Sequence, residues 1–267
     1  PMVIPHAERI VPEYELPGSV LGRYPETPYR GRPGADYGPD MRIGMYCSQE
    51  HPRATFAAMV MRLDRYVGEI IGTLEELGLA QKTLVIFTSD NGPHREGGAD
   101  PDFFGSSGGL RGMKRDLYEG GIRVPMIAWW PGTIKAGRVS SHISAFWDVA
   151  PTLVELAGGE AFSSDGISFL PELLGDYQPE HPFLYWEFHE QGGKQALLKD
   201  GWKAVRLHVG SEDGGPLELY RLKEDPDESE NLVQEYPDLA EEFGRLMKQA
   251  RLPSEHFNFG AATFSGR

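Results

Sequence analysis

Asp90 and Asn91 stand side by side just after the apolar run Leu84-Val85-Ile86-Phe87, and Gly92 follows them. A carboxylate and an amide carbonyl at a strand end are hard oxygen ligands, suited to Ca²⁺ or Mg²⁺ rather than to a soft metal. Asp-Asn-Gly by itself most often makes a turn, so the chemical reading needs the surrounding sequence. Some twenty residues on, Lys114 lies in Gly108-Gly109-Leu110-Arg111-Gly112-Met113-Lys114. Glycines there let the backbone approach a ligand, and lysine offers a compact charge for an anionic oxygen. Between the two motifs lie His94, Arg95, Glu96, Asp100, Asp102, Phe103 and Phe104. This mixture could grip a sugar or an aryl ring, or form an ordinary surface loop. Glu119 and Arg123 read as an internal pair that braces the lysine loop.

Two apolar runs must position these groups. Thr83–Thr88 and Val124–Trp130 read as buried strands, the second ended by Pro131-Gly132. Ligands of open α/β sheets gather at such strand ends. Upstream, Phe56, Met59, Val60, Leu63, Val67, Ile70, Ile71, Leu74 and Leu77 recur at helical spacing. They predict one amphipathic helix over 53–77, with Gly78 at its C-terminal cap. Gly68 and Gly72 inside it cost roughly 1 kcal/mol each relative to Ala, a cost that close packing against a sheet would offset. Helix and strand together form an αβ unit of a layered α/β fold. A further helix is expected from Val149 to Ala157, with Pro151 in its first turn.

Composition shifts near Pro179–Pro182. Beyond it, Phe183–Phe188, Gln195–Lys199, Trp202–Leu207 and Leu217–Leu222 read as short strands, and Asp200-Gly201 as a hairpin turn. A helix from Pro237 to Lys248 closes the pattern, with Leu239, Phe243 and Leu246 or Met247 on one face. Two domains are therefore expected: residues 1–180 in an α/β layer, and 181–267 in a small antiparallel α+β subdomain.

The stretch from Thr83 to Gly132 resembles the type I, formylglycine-dependent sulfatases of the alkaline-phosphatase superfamily. The segments around Ala196–Lys203, Glu218–Leu222, Glu224-Asp225-Pro226 and Glu230-Asn231-Leu232 resemble the C-terminal subdomain of that family. Arg221 stands where its pattern usually carries an acid, a change expected to be neutral. The resemblance implies an alkaline-phosphatase-like sandwich of a mixed sheet with flanking helices. It makes Asp90 and Asn91 metal ligands, for Ca²⁺ or alternatively Mg²⁺, and Lys114 the lysine that contacts sulfate and stabilises the leaving oxygen. His6, in Ile4-Pro5-His6, matches the family histidine that protonates the departing alkoxide. His94, Arg95 and Asp102 become candidate substrate-binding residues, and His189 or Trp186 a possible part of the substrate rim.

The family nucleophile is a formylglycine made from the cysteine or serine of C-x-P/A-x-R. Cys47 is the single cysteine, and Gln49 and His51 occupy the motif's two required positions, so Cys47 fails it. Paired aspartates that complete the metal site also have no match. Both features precede His6 in the family order, and Pro1 is no natural start. The expectation is a C-terminal fragment of a longer protein, inactive and prone to aggregate alone. The resemblance further implies a sulfated small-molecule or glycan substrate, a formylglycine-generating enzyme acting on the parent, and a periplasmic or secreted location. A phosphonate or phosphate ester hydrolase of the same superfamily, or a non-catalytic binder of sulfated glycans, is the alternative.

The composition, 40 % hydrophobic and 25 % charged, is ordinary for a soluble globular protein. Forty acidic against 26 basic side chains give a net charge of −14 over 267 residues. That charge disfavours general nucleic-acid binding. No run approaches the ~20 apolar residues of a membrane span.

Overall fold

The computed structural model describes residues 11–30, 48–211, 213–252, 254, 256, 257 and 259. His6 and Cys47 lie outside the described residues. The chain divides into two compact units. One comprises the described residues up to Ala80 together with Pro93–Ser106; the other comprises Gln81–Gly92 and the described residues from Ser107 onward.

The first unit is built on helix α1, Pro52–Glu76. Pro52 opens it, where its missing N–H costs nothing. The next two amides, of Arg53 and Ala54, donate to Glu26 Oε2 at 2.7 and 3.2 Å. A distant carboxylate thus caps the helix, which no local pattern announces. Gly78 ends it at φ +66°. Leu16, Val20 and Ala54 form its small core, and the described residues before it include the 3₁₀ turn Glu13–Glu15 and a bridge between Tyr29 and Gln49. A Cβ at Gly68 or Gly72 would meet nothing within 4 Å among the described residues. Among the described residues, nothing is packed there to repay their helical cost. The one-turn helix α2, Pro101–Phe104, is capped by Asp100, which accepts the Phe103 amide at 3.1 Å.

The second unit holds β1, Val85–Thr88, followed by the short helix α3, Glu119–Ile122, and β2, Met126–Trp129. The strands pair antiparallel, Val85 opposite Trp129 and Thr88 opposite Met126. Their expected burial is not found. Met126 and Ile127 are 42 % and 60 % exposed, and all of β1 is half-buried. Among the described residues these two strands pair only with each other, so the faces that neighbouring strands and helices would cover stay open. Helix α4, Val149–Leu156, carries Pro151 in its first turn, and α5 spans Leu170–Leu174.

β3 (Leu184–Phe188), β4 (Lys194–Lys199), β5 (Trp202–Leu207) and β6 (Leu217–Arg221) form an antiparallel meander in sequence order. Asp200 and Gly201 both take positive φ, 51° and 77°, as a tight two-residue hairpin requires. Period-two alternation sorts the side chains. Ala196, Val205 and Tyr220 pack with Leu117 and Tyr118 of the lysine loop. Leu197, Ala204 and Leu219 pack on Phe243 and Met247 of helix α6, Pro237–Ala250. The sheet is therefore buried on both faces, and one face is the platform for the lysine loop.

Candidate functional site

Asp90 and Asn91 leave the end of β1 in a tight turn. Ser89 Oγ donates to the Asn91 carbonyl at 2.8 Å, and Asn91 Nδ2 donates to the Gly92 carbonyl at 2.8 Å. That second bond commits the amide nitrogen to the backbone. Asp90 is exposed and Asn91 half-buried. Oxygen donors of this type fit a hard cation. Their number does not suffice: among the described residues no group of three or more His, Cys, Asp or Glu side chains could hold a metal ion.

Three glycines fasten this turn to the lysine loop. The Gly92 amide donates to the Gly121 carbonyl at 2.8 Å. A Cβ on Gly92 would fall 1.8 Å from the Gly120 carbonyl oxygen. Gly120 and Gly121 in turn lie against the lysine-loop backbone, where a Cβ would meet the Arg111 and Gly112 carbonyls at 2.5 Å and that of Asp116 at 2.2 Å. Backbone lies on backbone through both layers, which only glycine permits. Sequence distant by some thirty residues is thereby brought into one junction.

Lys114 is half-buried in that loop. The loop is held to the C-terminal sheet by three cations, Arg111 from the loop itself and Lys194 and Lys203 from the sheet. Arg111 donates to Tyr220 Oη at 2.8 Å, to Tyr118 Oη at 3.1 Å and to the Glu228 carbonyl at 2.7 Å, with its guanidinium 3.9 Å over the Tyr118 ring. Both phenols donate to Glu218 Oε2, Tyr118 at 2.5 Å and Tyr220 at 2.8 Å. Burial, with the adjacent Glu218 carboxylate, pushes Tyr220 up to about 12 and Tyr118 further. Lys194 holds Asp116, and Lys203 holds Glu119.

Lys203 corrects one reading. Glu119 was expected to pair with Arg123, and that contact exists at 3.7 Å, but Arg123 is 63 % exposed. The closer partner is Lys203 Nζ, fully buried and 2.7 Å from Glu119 Oε1. Glu228, also fully buried, lies 3.3 Å from Lys203 and accepts the Glu119 amide at 2.6 Å. Burial pushes the Glu228 carboxyl up, against the pull of Lys203. An exposed arginine cannot displace a desolvated ammonium as the chief partner.

The other candidates have internal partners. Arg95 and Asp102 form an exposed ion pair with each other. His94 is buried, and its Nδ1 accepts the Glu96 amide at 2.9 Å. Phe104 stacks on Phe56 at 4.9 Å, and Phe103 carries the Arg53 guanidinium at 3.7 Å. Arg53 also bonds Asp100 at 2.7 Å and holds its carboxyl below the usual range. His189 bonds Glu187 at 3.0 Å and stacks on Phe259 at 4.5 Å; Trp186 packs on Trp147 at 5.6 Å. Arg221 pairs with Glu224 at 3.0 Å. Asp148 was not singled out by sequence. It is fully buried and accepts from the Ala145 and Ile167 amides at 2.7 and 2.9 Å, with His181 Nε2 at 2.8 Å. No local signal marks it, because its partners lie up to 33 residues away.

A family profile described as Sulfatase matches residues 13–159, and one described as N-sulphoglucosamine sulphohydrolase, C-terminal, matches residues 112–252. Arylsulfatase A of Bos taurus is 33 % identical over 234 residues, covering 79 % of this chain and 45 % of its own length. Steryl-sulfatase of Mus musculus is 43 % identical over 158 residues, covering 57 % of this chain and 24 % of its own. The chain thus spans less than half the length of these relatives. A solved structure described as BT4656 in complex with its substrate D-glucosamine-2-N,6-O-disulfate superposes with a TM-score of 0.61 at 27 % identity, over 75 % of this chain and 40 % of that one. The fold is accordingly of the alkaline-phosphatase-like α/β kind, with a small C-terminal antiparallel sheet and terminal helix.

Proposed function

The chain belongs to the sulfatase family, and from that premise we propose that its natural protein hydrolyses sulfate esters, with sulfated carbohydrates or aryl sulfates as substrates. The observation that supports this most directly is the glycine junction. It fastens the Asp90-Asn91 turn to the loop of Lys114 through the Gly92–Gly121 bond at 2.8 Å. Two oxygen donors and a cation that belong to separate segments are thereby made parts of one rigid backbone assembly.

In this reading Asp90 and Asn91 hold Ca²⁺, alternatively Mg²⁺, together with ligands from outside the described residues. The bound cation would offset negative charge on the sulfate oxygens. Lys114 binds the sulfate group and stabilises charge on the leaving oxygen, where a fixed cation helps most. His6 gives that oxygen its proton. His94, Arg95 and Asp102 are the residues proposed to bind the rest of the substrate. A formylglycine nucleophile, made by a separate formylglycine-generating enzyme, belongs to a longer parent, of which residues 1–180 are the C-terminal portion of the catalytic domain and 181–267 a small subdomain. The disulfated glucosamine bound as substrate in the BT4656 structure favours sulfated amino sugars as the first substrate to try. Export to the periplasm or beyond fits such a substrate; among the described residues no helix is long and apolar enough to cross a membrane. The 267-residue chain alone is expected not to turn over.

The test is sulfate release by the natural full-length protein from a sulfated amino sugar and an aryl sulfate, beside the matching phosphate esters. Lys114→Ala should lower kcat by roughly 10²–10³, the scale for one oxyanion-stabilising donor. Faster release of phosphate than of sulfate would transfer the assignment to phosphoester chemistry. Binding without release of either would favour a glycan-binding role.

A further inference from the structure

Lys194 opens β4, where Phe188 on β3 and Leu207 on β5 flank it in register. Its side chain is 9 % exposed. The ammonium donates to the Arg115 carbonyl at 2.8 Å, to Asp116 Oδ1 at 2.9 Å and to Gln191 Oε1 at 2.9 Å. All three of its protons are thus engaged. The other oxygen of Asp116 accepts the Met113 amide at 3.1 Å, and the Asp116 amide donates to the Met113 carbonyl at 2.8 Å. Met113 and Arg115 are the two chain neighbours of Lys114. Both are tied, one through Asp116 and one directly, to the same buried ammonium. Arg115 sits at φ +79°, a strained setting for a side chain with a Cβ. Such a conformation persists where the surroundings over-determine it.

We propose that Lys194 is a positioning residue for Lys114, its buried ammonium fixing the backbone on both sides of that lysine against the rigid C-terminal sheet. The proposal rests on the reading of Lys114 as the cation that meets the sulfate. Charge-assisted bonds at 2.8–2.9 Å are the strong class, and a displacement of about 1 Å at a reacting group costs on the order of 10²-fold in rate. The Asp116 carboxylate also neutralises Lys194, so a second cation near Lys114 adds little repulsion.

The experiment uses the natural full-length protein carrying Lys194→Met, which keeps the apolar stem and removes the donors. A second variant, Asp116→Asn, reaches the same turn should the first fail to fold. Amide hydrogen exchange is read at Met113, with Ala204 in β5 as the internal reference, and kcat and KM are measured on a sulfate ester. The expected result is faster exchange at Met113 with Ala204 unchanged, and kcat reduced roughly tenfold to a hundredfold at constant KM. In a Lys114→Ala background, Lys194→Met should then have no further effect on kcat, because it acts only through that side chain. Unchanged exchange at Met113, or a loss that adds to that of Lys114→Ala, overturns the positioning role. Full activity of Lys114→Ala itself instead overturns the assignment of Lys114, whatever the exchange shows.

Discussion

Lys203 Nζ and Glu119 Oε1 lie 2.7 Å apart with the lysine wholly out of water. The pair joins the C-terminal sheet to the start of α3, whose Gly120 and Gly121 carry the Asp90-Asn91 turn. Glu228 closes the cluster at 3.3 Å. Two carboxylates and one ammonium in this setting depend on one another, because removing a partner strands buried charge.

Lys203→Met should therefore destabilise the protein by about 3–5 kcal/mol, the cost of breaking a buried ion pair from one side. Lys199→Met is the control. Lys199 pairs with Asp200, whose side chain is 78 % exposed, and its loss should cost far less, because solvent screens the pair. Urea unfolding midpoints of the two variants distinguish these outcomes, and equal midpoints would refute the argument.

Gly92→Ala should separate the two halves of the site without touching a charged group. The new Cβ would fall 1.8 Å from a carbonyl oxygen that is itself packed on further backbone, so no flexible side chain can give way. Loss of the proposed activity in the full-length protein should exceed that of Gly78→Ala. At Gly78 the strain is a positive φ alone, with open space around it.

Asp90→Ala should raise the Ca²⁺ concentration needed for activity by at least roughly tenfold, since affinity at oxygen sites follows ligand charge and number. Asn91→Ala should act in the same direction with a smaller effect, having removed no charge. A chelator titration of the full-length protein measures both. Insensitivity of the unsubstituted protein to the chelator would remove the metal from the reading.

Stability should fall with rising pH as the buried phenols titrate. Tyr220 is raised from 10.0 to about 12, by burial and then by its bond to Glu218. A raised pKa means the folded state keeps its proton longer than the unfolded one. The contribution is therefore complete below pH 10 and is lost as pH rises toward 12. Phenolate absorbance in folded protein should lag that of free tyrosine, and Glu218→Gln should shorten the lag.

The sequence by itself determined what is local. Helical spacing located α1 and α6 to within two or three residues, Asp200-Gly201 located a hairpin, and short apolar runs located the four strands of the C-terminal sheet. Each of these signals is carried by residues within a turn or two of one another, where backbone sterics and apolar periodicity act directly. Asp90, Asn91 and Lys114 were legible as candidates because the resemblance of Thr83–Gly132 to the sulfatases was added to residue type and glycine context. Their bracing was not. Lys203 meets Glu119 across 84 positions, Arg111 meets Tyr220 across 109, and Lys194 meets Asp116 across 78. The strand faces at Met126 and Ile127 were misread for a related reason, since an apolar run records what a sheet face can bury and not whether a neighbour lies against it. Only the tertiary structure decided which charges are desolvated together, because that depends on which segments the sheet brings into contact.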